Sequence, residues 1–373
     1  MDHGQYVHWE ECFPLEGGGE LPELRIAYQT YGQPNDRQDN IILICHALTG
    51  NADPADWWSG LIGPGRLYDP THYYIICANN LGSCYGTTGP ASVDPRTGKL
   101  FGPDFPEVTI RDMVRAQQKW LAHLGIERVE VALGGSMGGQ IILEWAIMEP
   151  TRFRHIVLMA TNAVHSPWGI AFNETQRMAI EASLAVDQND PEARRRGLEA
   201  ARAIAMLSYR SYDGYQVRQT ESDPEKMDNY KASSYQRYQG DKFARRFDLY
   251  SYLRLSKAMD SHHVGRGRGS VAQALQRIEA RTLVIGLDTD LLFPLSEQVT
   301  IANHVPRARL EVVTSLYGHD GFLVECSDIA QHIRQFMTEG VFREPGKQYR
   351  LSVRSATVQE KGSHRALPGT ERF

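Results

Sequence analysis

Val129-Glu130-Val131-Ala132-Leu133-Gly134-Gly135-Ser136-Met137-Gly138 is the stretch that decides the fold of this chain. An apolar run leads straight into Gly-x-Ser-x-Gly, and a helical pattern follows from Gly138 to Glu149 until Pro150 ends it. A strand that turns sharply into a helix around a serine leaves the hydroxyl exposed on strained backbone. From there a nucleophile can attack a carbonyl carbon. Small residues in turns are common, so the pattern acquires meaning only from partners elsewhere.

Working outward, similar runs rich in β-branched residues recur at Leu24 to Tyr31, Asn40 to Cys45, Tyr73 to Cys77, His155 to Ala160, Thr282 to Ile285 and Leu310 to Val313. They read as strands. The middle and later ones lack polar/apolar alternation, as strands buried on both faces do. Helical patterns lie between them. Thr109-Ile110-Arg111-Asp112 opens one, with Met113, Val114, Trp120, Leu121 and Leu124 at helical spacing and Gly125 as its stop. This alternation predicts an α/β fold with a mostly parallel sheet covered on both faces.

From 171 to 275 the strand signals disappear. Asp190-Pro191 opens a helix that runs to Tyr209, and a second helical stretch covers Asp241 to Met259. The strand pattern resumes at Arg281. A helical insertion follows from this, with residues 1–170 and 276–342 as the α/β core and 171–275 as a lid. Residues 343–373 are polar and aperiodic and read as a loosely ordered tail.

Composition narrows the function. Hydrophobic residues make up 42% of the 373, ample for a sizeable core, and a net charge of -5 argues against a general nucleic-acid footprint. No apolar stretch approaches the roughly 18 residues of a membrane span. Met1 to Gln5 lack the basic-then-apolar order of a secretory signal. Of five cysteines, Cys45 and Cys77 fall in strand-like runs as buried thiols, and no spacing suggests zinc. A cytoplasmic protein without metal, nucleic acid or membrane partners is expected.

A serine nucleophile needs a base and a group that orients the base. On sheets of this kind they follow in the order serine, acid, histidine. Downstream of Ser136, Asp288 and Asp290 follow the strand Thr282 to Ile285, and Gly318-His319-Asp320-Gly321 follows Leu310 to Val313. His319 is the expected base. Asp290 is preferred as the acid because Leu291-Leu292-Phe293-Pro294 puts an apolar run behind it, and a buried carboxylate fixes the imidazole tautomer. Asp288 is the alternative. Two backbone N–H groups are needed for the oxyanion. Met137, after the serine, supplies one, and Leu48, in the loop His46-Ala47-Leu48-Thr49-Gly50, the other.

That loop, with Trp57-Trp58, Gly63-Pro64-Gly65, Asn79-Asn80-Leu81-Gly82-Ser83-Cys84-Tyr85-Gly86-Thr87-Thr88-Gly89-Pro90, Phe105-Pro106, Thr109 to Val114, Gly134 to Gly139 and Tyr317-Gly318-His319-Asp320, resembles the homoserine O-acetyltransferase family over roughly residues 8 to 340. The resemblance implies an α/β-hydrolase fold with a helical lid. It implies acetyl-CoA as donor and co-substrate rather than a bound cofactor, L-homoserine as acceptor, ping-pong chemistry in methionine biosynthesis, and a homodimer formed through the lid. Leu198, Arg202, Ala205 and Tyr209 share one face of the helix from Pro191, a mostly apolar face that includes an arginine. A cation there needs an anionic partner, either a structural carboxylate or the carboxylate of a substrate. The resemblance matches Arg202 and Tyr209 to substrate-binding residues, and Asp320 would then meet the substrate ammonium, or cap a helix before Phe322. Arg266-Gly267-Arg268 is a solvated loop or a contact for CoA phosphates. Related enzymes acylate serine or use succinyl-CoA, and a hydrolase would use the same triad.

Overall fold

The computed structural model describes residues 4–185, 190–339 and 348–350. Eight strands form the main sheet: β1 (Gln5–Trp9), β2 (Leu24–Tyr31), β3 (Ile41–Cys45), β4 (Tyr74–Ala78), β5 (Val129–Gly135), β6 (Phe153–Met159), β7 (Arg281–Leu287) and β8 (Ala308–Val313). Their spatial order is β1-β2-β4-β3-β5-β6-β7-β8. Only β2 runs against the others, antiparallel to both β1 and β4. β1 has no counterpart in the sequence reading. It is an edge strand with only Val7 fully buried, so its apolar signal is weak.

In β3 all five residues are buried. Ile42 and Ile44 point into one apolar core, and Ile41, Leu43 and Cys45 into the other. A strand with a core on each face has no polar side to show, hence its missing alternation. Each such side chain contributes about 1.5–3 kcal/mol by leaving water. Helix α1 (Ile110–His123) opens with a reciprocal cap in which Thr109 Oγ1 accepts from Asp112 N and Asp112 accepts from Thr109 N. It closes before Gly125, whose φ of +68° suits a residue without a side chain. Helix α2 (Met137–Met148) leaves β5 directly.

Helices α3 (Pro167–Leu184), α4 (Pro191–Tyr209), α5 (Tyr212–Gln219), α6 (Lys231–Ala244), α7 (Leu249–Asp260) and α8 (Val271–Leu275) lie between β6 and β7. The helical segment starts slightly before the expected residue 171 because Ser166 caps α3, accepting from Gly169 N. The helical stretch read over Asp241 to Met259 is made of two helices, α6 and α7. Asp248 accepts from Ser251 N and starts a new one. Helices α9 (Leu295–His304) and α10 (Cys326–Thr338) complete the core. Most of the expected tail lies outside the described residues. Tyr349, within it, is held: its backbone exchanges hydrogen bonds with the Asn303 side chain, and its hydroxyl accepts from Leu310 N.

Candidate active site

Ser136 sits between β5 and α2 with φ 57° and ψ −128°, a conformation that costs a non-glycine residue about 1–3 kcal/mol. Its surroundings enforce it. Ser136 N donates to Met159 O at 3.0 Å, and its carbonyl accepts from Thr161 Oγ1 at 2.8 Å and Gln140 N at 3.1 Å. Although Ser136 starts a helix, its side chain caps nothing. Close packing leaves no room for side chains nearby: a Cβ on Gly138 would run into the Cys45 carbonyl, and one on Gly135 into the Phe322 ring.

His319 is buried at the end of the loop after β8. Its Nδ1 lies 2.7 Å from Asp290 Oδ2. Asp290 Oδ1 accepts from Leu292 N at 2.8 Å and Phe293 N at 2.9 Å, so the carboxylate is aimed by its own loop. Asp288, the alternative acid, is exposed and accepts instead from Ser315 N. Phe293 stacks on the His319 ring at 5.0 Å, and Phe322 meets it edge-on at 5.5 Å. Burial works against a charged imidazole, but the attraction of Asp290 and its hydrogen bond outweigh that, so the His319 pKa is raised.

Six of the eight residues singled out in the sequence line one cleft of about 460 Å³ between core and lid: Leu48, Ser136, Arg202, Tyr209, His319 and Asp320. The other two stand behind it. Asp290 lies under His319, and the Met137 side chain is buried in the core at the first position of α2.

Arg202 is only 8% exposed, and among the described residues no carboxylate pairs with it. Its buried Nε has no hydrogen-bond partner. The guanidinium instead lies over the rings of Tyr209, at 5.3 Å, and Phe243, at 5.1 Å. Tyr209 in turn lies 5.8 Å from the His319 ring, so one tyrosine separates the guanidinium from the imidazole. The ion-pair reading of Arg202 therefore fails within the described residues. Asp320 caps no helix with its side chain. Its carboxylate is engaged by Arg210, which also donates to Tyr235.

Two features escaped the sequence reading. His46 braces the Leu48 loop from beneath: its Nδ1–H donates to Ala47 O at 2.8 Å and its Nε2 accepts from Asn80 N at 3.1 Å. Asn80 is held by Gln117 at 3.1 Å. Burial lowers the His46 pKa to about 4 and keeps the ring neutral, as this donor–acceptor pattern requires. His46 and Asn80 stood in motifs already noted, but contacts across 34 residues have no local signal. The second is Arg210, whose partner lies 110 residues away. In the basic cluster at 266–268, Arg266 and Gly267 are exposed, as a solvated loop requires, with Arg266 paired to Glu16; Arg268 is half-buried and pairs with the buried Glu144, which also binds Arg111.

The alpha/beta hydrolase fold family matches residues 40–325. Relatives named homoserine O-acetyltransferase share 42–48% identity with this chain. That of Cyclobacterium marinum is 48% identical over 335 residues, covering 90% of this chain and 95% of its own. The chain belongs to the homoserine O-acetyltransferase family. Among solved structures, esterase E22 is similar with a TM-score of 0.80 at 26% identity, over 89% of this chain and 99% of its own. A homoserine O-acetyltransferase from Staphylococcus aureus is similar with a TM-score of 0.76 at 29% identity, over 92% and 97%. Family membership accords with the strand order, the serine turn and the inserted helices. Among the described residues, no helix is long and apolar enough to cross a membrane, and no group of three or more His, Cys, Asp or Glu side chains is placed to hold a metal.

Proposed function

We propose that this chain transfers an acetyl group from acetyl-CoA to the hydroxyl of L-homoserine by way of an acyl-serine. The observation that carries this reading beyond hydrolysis is Arg202, a buried guanidinium with no carboxylate partner among the described residues, one ring away from His319. Water needs no such cation. An amino-acid acceptor brings the missing carboxylate, which guanidinium binds bidentately.

In the first half-reaction His319 Nε2 takes the Ser136 proton as the hydroxyl oxygen attacks the thioester carbonyl. Asp290 holds Nδ1–H and stabilises the imidazolium. The N–H groups of Leu48 and Met137 receive the oxyanion. Collapse breaks the carbon–sulfur bond, and CoA leaves with the proton from His319. In the second half, Arg202 takes the acceptor's carboxylate and Asp320, held by Arg210, faces its ammonium. Tyr209 walls the acceptor against the base. His319 then removes the hydroxyl proton, the new ester forms, and the proton returns to Ser136. The esterase likeness favours one rival, in which water replaces the acceptor.

The same reading places the protein in the cytoplasm, within methionine biosynthesis, as a homodimer paired through the lid. Exposed Leu207, Tyr212, Val217, Met227 and Tyr238 all fall in the lid, an unusual apolar load for a free surface. Sedimentation of wild type against Val217→Asp/Met227→Asp tests the pairing: the variant should be monomeric. The activity is tested by CoA release from acetyl-CoA and succinyl-CoA, with and without L-homoserine or L-serine, and mass spectrometry of the product. Homoserine-dependent release giving O-acetylhomoserine is expected. Release that ignores the acceptor and yields only acetate would make the protein a hydrolase.

A further inference from the structure

The cleft carries more positive charge than one amino-acid acceptor needs. Arg202, Lys242, Arg245 and Arg246 line it, against Asp56 and Asp320, in a chain whose net charge is -5. Three of these cations stand together at the C-terminal end of α6. Cations there complement the helix dipole, and that alone would explain side chains lying along their own helix. Arg245 does so, donating to Asp241 four residues back at 2.9 Å.

Arg246 does not. Its Nη1 reaches from the lid to the core, donating to Thr49 O at 2.9 Å and Tyr85 Oη at 2.6 Å. Its flat face lies 5.2 Å from the Phe243 ring. Both hydrogen-bond partners are neutral, so its charge is unbalanced by any ion pair among the described residues. Thr49 also belongs to the loop that presents Leu48. The guanidinium thus stands on the cleft wall, tied to the loop assigned to the oxyanion.

We propose that Arg246, with Arg245 and Lys242 beside it, is the seat of the phosphate groups of the acyl-CoA donor. This rests on the acetyl-CoA-dependent reading above. Guanidinium matches phosphate oxygens in paired hydrogen bonds, and a phosphate supplies the anion that Arg246 lacks among the described residues. With its phosphates held here, the donor's long thiol arm runs inward past Cys84, Tyr85 and Leu48 toward Ser136, all of which line the same cleft. Arg266 and Arg268 stand apart from this cleft, paired with Glu16 and Glu144.

The test compares kcat/KM for acetyl-CoA with kcat/KM for S-acetyl-N-acetylcysteamine, a thioester donor without phosphate. Arg246→Gln should lower the ratio of the two by about 10-fold or more, as loss of a charge-assisted contact does. Arg246→Lys should recover part of it, and Lys242→Gln/Arg245→Gln, on exposed or half-buried side chains, should lower it less. Raising salt should lower the wild-type ratio. An unchanged ratio in Arg246→Gln overturns the assignment. So does an equal fall for both donors, since Arg246 would then only hold the Thr49 loop. Wild type that releases no CoA from acetyl-CoA yet is acylated by the short thioester would overturn the donor reading itself, and the phosphate seat with it.

Discussion

Arg177 and Arg202 stand on the packed lid helices α3 and α4, and both are buried, yet only one is electrically settled. Arg177 donates to Asp260 and Glu174, each at 2.6 Å, and to Ser256 Oγ at 3.2 Å. Arg202 has two aromatic rings and, among the described residues, no carboxylate. Burial alone does not mark a binding residue. A buried charge whose partner is missing does, because taking a cation from water without compensation is costly unless a ligand completes it.

The largest effect concerns the serine in the cleft that Arg202 lines. Ser136→Ala should lower acetyl transfer by about 10⁴-fold or more, with little change in melting temperature; a variant that keeps turning over would remove the nucleophile from the account. Next comes the contrast itself. Arg202→Ala should lower kcat/KM for the acceptor by about 10²-fold or more, as loss of a buried charge partner does, and leave acylation by acetyl-CoA largely intact. Its urea midpoint should stay or rise, because an uncompensated buried charge is gone. Arg177→Ala should do the reverse, costing about 3 kcal/mol in urea unfolding by stranding Asp260, with the acceptor KM little moved. If both variants lose stability and neither affects the acceptor, the distinction between them is void.

Two pH effects are smaller. The proposed mechanism uses neutral His319 as the base, and its pKa is raised, so kcat/KM should rise with pH along a limb centred above about 6.5. In Asp290→Asn that limb should move to lower pH, since the anion that favours the imidazolium is gone. Linkage works in opposite directions for the buried rings. His319, with its folded pKa raised, contributes stability that is fully present below its unfolded pKa and lost as pH rises through the folded one. His46 and His165, lowered to about 4, and His262, lowered to about 3, contribute stability present above the unfolded value and lost as pH falls toward their folded values. Below about pH 6.5 the His319 contribution is constant and that of the three lowered rings is being lost, so the melting temperature should drop between about pH 6.5 and 4, which calorimetry would show.

Much of this was legible in the chain. Central strands such as β3 announce themselves because two cores demand apolar residues throughout, and the serine turn has a fixed local grammar. The edge strand β1 does not, since half its surface faces water. The apolar run behind Asp290 distinguishes it from Asp288, and Phe293 of that run stacks on His319. The fate of charged side chains was the least legible. Arg202, Arg246 and Arg268 look alike as letters. Only the fold shows that Glu144 pairs with one, that Thr49 and Tyr85 hold another with neutral oxygens, and that the third lies over two rings.

The central claim is that Arg202 waits for the acceptor's carboxylate. Its most direct test uses wild type and Arg202→Ala, each first acetylated on Ser136. Deacylation is then followed by stopped flow with L-homoserine or with homoserinol, which lacks only the carboxylate. Wild type should favour homoserine by about 10²-fold, the worth of a buried charge-assisted pair, and Arg202→Ala should treat the two nearly alike. An Arg202→Ala protein that keeps the wild-type preference would contradict the account.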